Sequence, residues 1–385
     1  MSADARELLA SGSIASHRMM TYVEVRLAGQ VQAVPTVLGG SVTVDVGSAT
    51  RRRASVDLFP DDDLIPEGED ALLYPGRCHL HVWRGIDWHD GRPGTAYGAA
   101  TVQPGWELWP LGVFLHTETS LTNAGDGPRL TIGGGDLSRR IQRAAWLAPY
   151  VIPAGSSIAD AWVALILDRW PDADVRVEVG TDDTTSTQLV YGDKPKADPW
   201  ADARKLGSLL GAESYVDAEG TFVLGTIPDP GSVPVCATYA ASTDGSPTAL
   251  LQVDRRLDAD KGFSAVAMDS NRSGGTPLRG IAYDTDPDSA TYVDGDYGLV
   301  PLFVSSSASS QTRIDAQAVA RLARNRAATD AISVELVPNP AHEERDVIQL
   351  TDDAVRVDGP YSLDGFTVPL GSDGSMKAAV RKVAA

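Results

Sequence analysis

The 385-residue sequence predicts a mainly β chain with α+β insertions, built around two small β-barrels. Three observations predict it. Segments near the start alternate polar and apolar residues, as half-buried strands do. The middle changes to helical periodicity. The last fifty residues then repeat the plan of an earlier stretch. There, Tyr74-Pro75-Gly76-Arg77 leads into the strand-like Cys78–Trp83, then a loop, then Pro110–His116, a Gly-Asp tip at 125–126, and Pro128–Ile132. Near the end, Pro338-Asn339-Pro340 leads into Asp346–Leu350, then Tyr361–Leu370, a Gly-Ser-Asp-Gly turn, and Met376–Arg381. Each copy is a Pro-marked start, a strand, a loop and a hairpin with a Gly-Asp tip. Identities between the copies are few, so two unrelated β-domains remain the alternative to a duplication.

In chain order, residues 1–17 read as a lead-in with a single helical turn. Residues 18–132 read as the first β-barrel. Tyr22, Glu24 and Arg26 interleave with Val23, Val25 and Leu27, Ser41–Val46 alternates likewise, and Arg51–Phe59 ends at Pro60 and an acidic loop. Residues 133–232 read as a small α/β domain. Helices are expected at about 137–146, 157–170 and 199–210. The second carries Ile158, Ala161, Trp162, Leu165 and Ile166 on one face and stops at Pro171. The third has Pro199 at its permitted first position and Gly211 near its end. Short strands are expected at Val175–Val179 and Thr221–Leu224. A linker follows at 233–244.

Residues 245–385 read as the second β-barrel, with a helical insertion at about 300–343. Strands are expected at Leu250–Arg256 and Gly262–Met268. A fourth helix, about Ile314–Thr329, carries Ala316, Val319, Ala320 and Ala323 on one face, which implies close packing on a sheet.

Composition narrows the function. A length of 385 residues calls for two to four domains. No apolar run approaches 18 residues, and the N-terminus has neither a basic n-region nor an apolar h-region, so neither a membrane span nor a secretory signal is expected. Folding in a cytoplasm is the expectation. The net charge of −19 opposes sequence-specific nucleic-acid binding, which needs a basic face. It suits a carboxylate-lined lumen through which DNA passes without sticking, or equally a solubility charge. The 27 Arg against 6 Lys fit a GC-rich coding background. Cys78 and Cys236 are expected to be free thiols outside any metal pattern.

No constellation points to catalysis. His79 and His81 share a strand face, and His89 follows, but no carboxylate stands at a diagnostic spacing, so they read as strand surface rather than a metal site. His342-Glu343-Glu344-Arg345-Asp346 resembles a zincin HExxH with its second His replaced. That motif needs a helix, whereas Pro340 precedes it and a β-rich run follows, so it reads as a polar turn. Gly133-Gly134-Gly135-Asp136 lacks the rest of any phosphate-binding motif and reads as a strand-to-helix turn capped by Asp136 or Ser138. Asp284-Thr285-Asp286-Pro287-Asp288 alternates carboxylates, but it lacks the Glu of an EF-hand loop and reads as a solvated turn, with a loop calcium site as the alternative. No GxSxG occurs. Catalytic, cofactor-binding and metal-ligating residues are thus expected to be absent, and no cofactor is implied.

Several segments resemble the tail hub proteins of tailed bacteriophages and related contractile injection systems, particularly those of actinobacterial phages. They are Gly135–Arg140 leading to Ile152–Ile158; Gly211–Leu224 running into Pro228-Asp229-Pro230; Val253-Asp254-Arg255 before Gly262–Val266; Asp286–Ser289 with Gly295 to Gly298; and Pro338-Asn339-Pro340 to Ile348. The resemblance runs from about residue 20 to the end, and the order of the motifs is more specific than any one of them.

The resemblance implies a non-enzymatic virion protein of the tail tip or baseplate. Three copies with two barrels each would form a pseudo-six-fold ring joining a hexameric tail tube to the tip and forming part of the DNA channel. Implied partners are two further copies, the tail tube or distal tail protein, the tape measure protein, and spike or fibre proteins. DNA would be only passing cargo, with no membrane insertion by this chain. Because the sequence ends just after its last strand, any lysin or spike is expected on a separate chain. The rival reading is a tail-associated protein that binds envelope glycans or degrades peptidoglycan, with Trp83, Trp88, Trp106 and Trp109 stacking on sugars. A third is a hexameric distal ring.

Overall fold

The computed structural model describes residues 1–11, 18–100, 102–124, 127–180, 183–192, 197–242, 248–258, 262–270, 277–306, 310–328 and 330–383. The expected Gly-Asp tip at 125–126 and part of the 233–244 linker lie outside them.

The chain opens with helix α1 (Ala3–Ser11) and continues into the first barrel: β1 (Arg18–Leu27), β2 (Gln30–Ala33), β3 (Val37–Asp45), β4 (Arg52–Leu58), β5 (His79–Asp87), the short β6 (Thr95–Ala96), β7 (Trp106–Ala124) and β8 (Gly127–Asp136). Their alternation is that of a sheet with one buried face. Val23, Val25, Val42, Val44, Val56, Leu58, Leu80, Val82, Leu130 and Ile132 all point into one core. Hydrogen bonding runs β1–β5–β7–β8–β4–β3. The expected single helical turn of the lead-in is a nine-residue helix docked on the barrel. Ala5 and Leu8 pack on Ile86, Trp88 and Trp109, and Ser2 donates to both Glu107 carboxylate oxygens from its amide (2.7 Å) and its hydroxyl (2.6 Å).

The α/β unit follows: α2 (Ser138–Arg143), β9 (Tyr150–Ile152), α3 (Ile158–Arg169), β10 (Val175–Val177), β11 (Leu189–Tyr191), α4 (Pro199–Leu209), β12 (Ala212–Val216) and β13 (Phe222–Thr226). Ser157 and Asp198 cap α3 and α4 by accepting backbone N–H bonds. The predicted face of α3 is the buried one: Ile158, Ala161, Trp162, Leu165 and Ile166 join Trp200, Leu206 and Phe222 in a separate core.

The second barrel comprises β14 (Val235–Ala240), a strand of the large sheet where a linker was expected, β15 (Leu250–Leu257), β19 (Asp330–Leu336), β20 (Val347–Asp352), β21 (Val357–Pro369) and β22 (Met376–Lys382). Between β15 and β19 stands a small unit of β16 (Ala265–Ser270), β17 (Leu278–Tyr283), β18 (Pro301–Ser305) and α5 (Gln311–Ala328). Of the residues expected as a helical insertion at about 300–343, β18 and α5 belong to this unit, whereas β19 is a strand of the large sheet. The predicted face of α5 is corrected. Val319 is 60 % exposed, and Ala316, Ala320 and Ala323 face solvent with it, while Ile314, Ala318 and Leu322 are buried against Val266, Met268 and Ala282. Ile314 and Leu322, one turn either side of Ala318, bury more apolar area than the alanine stripe could. Close packing comes instead from Gly280, where an added Cβ would lie 2.6 Å from the Ile314 carbonyl oxygen.

Barrel two hydrogen-bonds in the order β14–β20–β21–β22–β19–β15. Ranked along the chain with the short β2 and β6 set aside, both barrels read first, fourth, fifth, sixth, third, second. The two copies of the sequence repeat thus occupy equivalent places: β5 with β20, β7 with β21, β8 with β22. One pairing differs. β1 runs antiparallel to β5, whereas β14 runs parallel to β20.

Candidate functional site: the barrel seam and the charged knot beside it

The two barrels are stitched into one sheet by β3 and β21. Residues 41–45 pair antiparallel with 365–369, setting Val44 opposite Phe366 and Val42 opposite Val368. All four are buried. On the outer face the Thr43 and Thr367 hydroxyls hydrogen-bond at 3.1 Å. A register shift between Leu363 and Gly365 lets β21 leave β20 and continue along β3. At Gly365 an added Cβ would stand 3.0 Å from the Val44 carbonyl oxygen, so the close approach of the strands favours glycine there.

Next to the seam, charged residues tie both barrels to the α/β unit. Arg51 and Arg52 stand at the start of β4, Glu343 and Glu344 in the turn before β20, and Glu213 on β12. Arg51 reaches Glu213 (2.7 Å) and Glu344 (3.1 Å) and lies over the Tyr215 ring at 4.2 Å. Arg345 also bonds Glu213, at 2.7 Å. Arg52, 1 % exposed, donates to both Glu343 and Glu344 and to the Leu111 carbonyl at 3.1 Å, while its backbone N–H donates to Asp136 at 2.8 Å. Buried ions of this kind are tolerated because each has a partner.

The environment drives the two glutamates apart. Burial, reinforced by the Glu344 charge, raises Glu343 to about 7 against the pull of Arg52. Burial also acts on Glu344, but Arg52 and Arg51 outweigh it and leave that carboxyl below its ordinary value. Split carboxylates can mark an acid–base pair. Here both accept from the same Arg52 Nη2, which ties the turn before β20 to the start of β4 and so links the two barrels.

The other candidates resolve individually. His79 stands edge-on to Trp170 and His81 stacks on Trp83. Burial, with Arg26 and His79 adding to it, lowers His81 to about 3, so it stays neutral. His89 pairs with Asp87 at 3.2 Å. Among the described residues these histidines join no third ligand; the one cluster of three or more His, Cys, Asp or Glu groups with ligand atoms within 4.8 Å of one another is Cys236, His342 and Asp346. The His342–Asp346 segment is a non-helical turn, as expected. Asp284 is buried and accepts from the Ser289 and Thr291 hydroxyls, the order of a self-bonded turn. Gly133–Gly135 are residues of β8, and Asp136 accepts the Ser138 N–H at 3.0 Å. Trp83, Trp88 and Trp109 are buried at 3–5 % exposure, and Trp106 lies against Tyr22, so they offer little face to a sugar. The knot was not anticipated from the sequence. Its signal is the pair Arg51-Arg52 heading one strand and Glu343-Glu344 heading another.

No protein-family profile and no curated protein matches this sequence. Solved structures do match. A tail protein from Neisseria meningitidis is 18 % identical with a TM-score of 0.64, covering 94 % of this chain and 96 % of that one. The prophage MuSo2 43 kDa tail protein from Shewanella oneidensis is 9 % identical, at 0.61 over 94 % and 98 %. An E. coli type VI secretion component, described as structurally similar to the T4 tail proteins gp27 and gp5, is 9 % identical, at 0.51 over 94 % and 77 %. With two barrels, a mostly antiparallel 14-stranded sheet and these likenesses along nearly its whole length, the chain has the fold of phage tail hub-like proteins.

Proposed function

We propose that the chain is a structural tail hub whose three copies close into a pseudo-six-fold ring. Such a ring would join a hexameric tail tube to the tail tip and form part of the DNA channel. One observation carries the reading: the seam inside the chain has an unused equivalent. β21, the fifth strand of barrel two, pairs β22 on one edge and β20 then β3 on the other. β7, the fifth strand of barrel one, pairs β8 on one edge and β5 on the other only as far as Leu115. Residues 117–123 therefore have one edge without a strand among the described residues. β15, the equivalent of β3, likewise pairs only β19. Laying β7 of one copy along β15 of the next repeats the internal seam between molecules, and three such contacts close a ring in which these two edges are paired.

Exposed apolar side chains at these two edges support the pairing: Leu121 is 47 %, Leu251 55 % and Leu257 71 % exposed. A net charge of −19 supports passage of DNA without adhesion. The proposed contacts are a tube or distal tail protein on one side and spike or fibre proteins on the other, with the tape measure inside. An origin in actinobacterial phages rests on the sequence resemblance and the excess of Arg over Lys. No catalytic role is assigned.

Light scattering of the purified chain over a concentration series tests the reading. A mass near three chains supports it. A hexamer, or a monomer persisting at the highest concentration together with binding to cell-wall polysaccharide, overturns it.

A further inference from the structure

We propose that Cys236, His342 and Asp346 form a binding site for a zinc-like divalent metal ion that fastens β14 to the 339–346 turn. The site is independent of the trimer reading. Cys236 comes from β14, and the other two residues lie four apart in the turn before β20. His342 Nδ1 stands 3.8 Å from Cys236 Sγ and 3.2 Å from Asp346 Oδ2. Zinc bonds of about 2.3 Å to sulfur and about 2.0–2.1 Å to nitrogen or oxygen give tetrahedral edges of about 3.6 Å (S to N) and about 3.3 Å (N to O). The two observed distances lie close to those edges, and all three donor atoms lie within 4.8 Å of one another. Thiolate, imidazole and a single carboxylate suit zinc over the hard, oxygen-seeking Mg²⁺ and Ca²⁺. Three protein ligands leave a fourth position, and the exposure of Cys236 puts it within reach of water.

The surroundings are built to hold the ring. His342 is 3 % exposed, and its Nε2 lies 2.7 Å from the Tyr239 hydroxyl, itself 3.1 Å from the Asn339 amide nitrogen. With metal, Nδ1 offers its lone pair to the ion, which fixes the Nε2–H tautomer, and that N–H can donate to the tyrosine oxygen as an outer-shell bond that orients the ring. The Glu343 N–H holds Asp346 Oδ2 in place at 3.0 Å. A bound cation favours the Cys236 thiolate, and the thiol proton leaves for solvent. The imidazole only exchanges one N–H for the other, so one proton is released per ion bound.

The full, tag-free chain, stripped with chelator, would be titrated with Co²⁺ and then Zn²⁺. The expected result is one equivalent of cobalt per chain with a thiolate-to-cobalt charge-transfer band, displaced by zinc, and release of about one proton per ion near neutral pH. Cys236→Ser sits on an exposed position and should fold normally. It should lose the charge-transfer band and bind at least about tenfold more weakly, on the scale of lost metal-site contacts. Asp346→Asn should weaken binding while keeping the band. Absence of stoichiometric cobalt and zinc binding overturns the proposal, as does binding that Cys236→Ser leaves unchanged.

Discussion

Val44, in the second strand of barrel one, lies directly opposite Phe366, in the fifth strand of barrel two, and both are buried. The cores of the two barrels are therefore continuous: Val42, Val44, Phe366 and Val368 belong to the same apolar cluster as the strands on either side. A truncation here is felt by both barrels. Phe366→Ala should cost about 3–5 kcal/mol. Urea unfolding followed by tryptophan fluorescence checks this; a loss below about 1 kcal/mol would show that the seam is not part of the common core.

Arg52 holds two carboxylates and a carbonyl at once. Removing it strands Glu343 and Glu344 without their shared partner, so Arg52→Ala should destabilise by about 3–5 kcal/mol. Adding Glu343→Gln and Glu344→Gln to that variant should recover part of the loss. Additive losses in the double-mutant cycle would contradict a shared clamp.

The two glutamates should show opposite pH signatures. Glu343 is raised from 4.5 to about 7, so the stability it contributes is present below pH 4.5 and fades as pH rises towards 7. Glu344 is lowered from 4.5, so its contribution is present above pH 4.5 and is lost in acid. Glu343→Gln should thus compare better with the parent above pH 7 than at pH 4.5, and Glu344→Gln the reverse. Protein atoms crowd the Glu343 carboxyl enough for burial to raise it, yet 46 % of the side chain still meets water, which screens its charge, so the shift overstates its contribution and its effect should be the smaller. Denaturation midpoints measured from pH 4 to 8 test both, and parallel profiles for the two variants would refute the assignment.

Gly280 sets the distance between β17 and α5. Gly280→Ala forces a Cβ against the Ile314 carbonyl and should cost about 1–3 kcal/mol, seen as faster amide exchange along α5. Val319→Lys, on the solvent face, should stay within about 0.5 kcal/mol of the parent. Equal effects at the two positions would mean the helix is seated differently.

Leu251 and Leu257 are exposed on β15, whose second edge pairs with no strand among the described residues. Changing both to Glu should leave the monomer's unfolding midpoint nearly unchanged while raising the dissociation constant of the proposed trimer by at least about tenfold, since burying either carboxylate in a strand pairing is costly. Analytical ultracentrifugation separates the two effects. An unaltered trimer would place the contact elsewhere.

Much of this fold could be read in the sequence because strands announce themselves by alternation and hairpins by their turns. Tyr361–Leu370, all but its last residue, and Met376–Arg381 fall in β21 and β22, and Ile158, Trp162 and Ile166 fall on the buried face of α3. The face of α5 was misread because counting small apolar residues favoured Ala316 and Ala323 over the bulkier Ile314 and Leu322. α1 carries only a few apolar residues, and its docking depends on Ser2 meeting Glu107, 105 residues away. The same distance problem hid the charged knot, whose members Arg52 and Glu344 stand 292 apart. Cys236 and His342, separated by 106, match no local spacing rule. Periodicity reports which face is buried, not which distant strand will be the neighbour.

The direction of a strand was equally silent, and it matters most at β14. Five strands of each barrel keep the same sense relative to their neighbours, but β14 runs with β20 where β1 runs against β5. A trimer assembled from such chains would be six-fold in most of its wall and three-fold wherever that inverted strand stands. It would work as a converter between two rotational counts, with the change of number written into one backwards strand rather than into a separate adaptor. Cys236 sits on that strand, where the other barrel carries no equivalent.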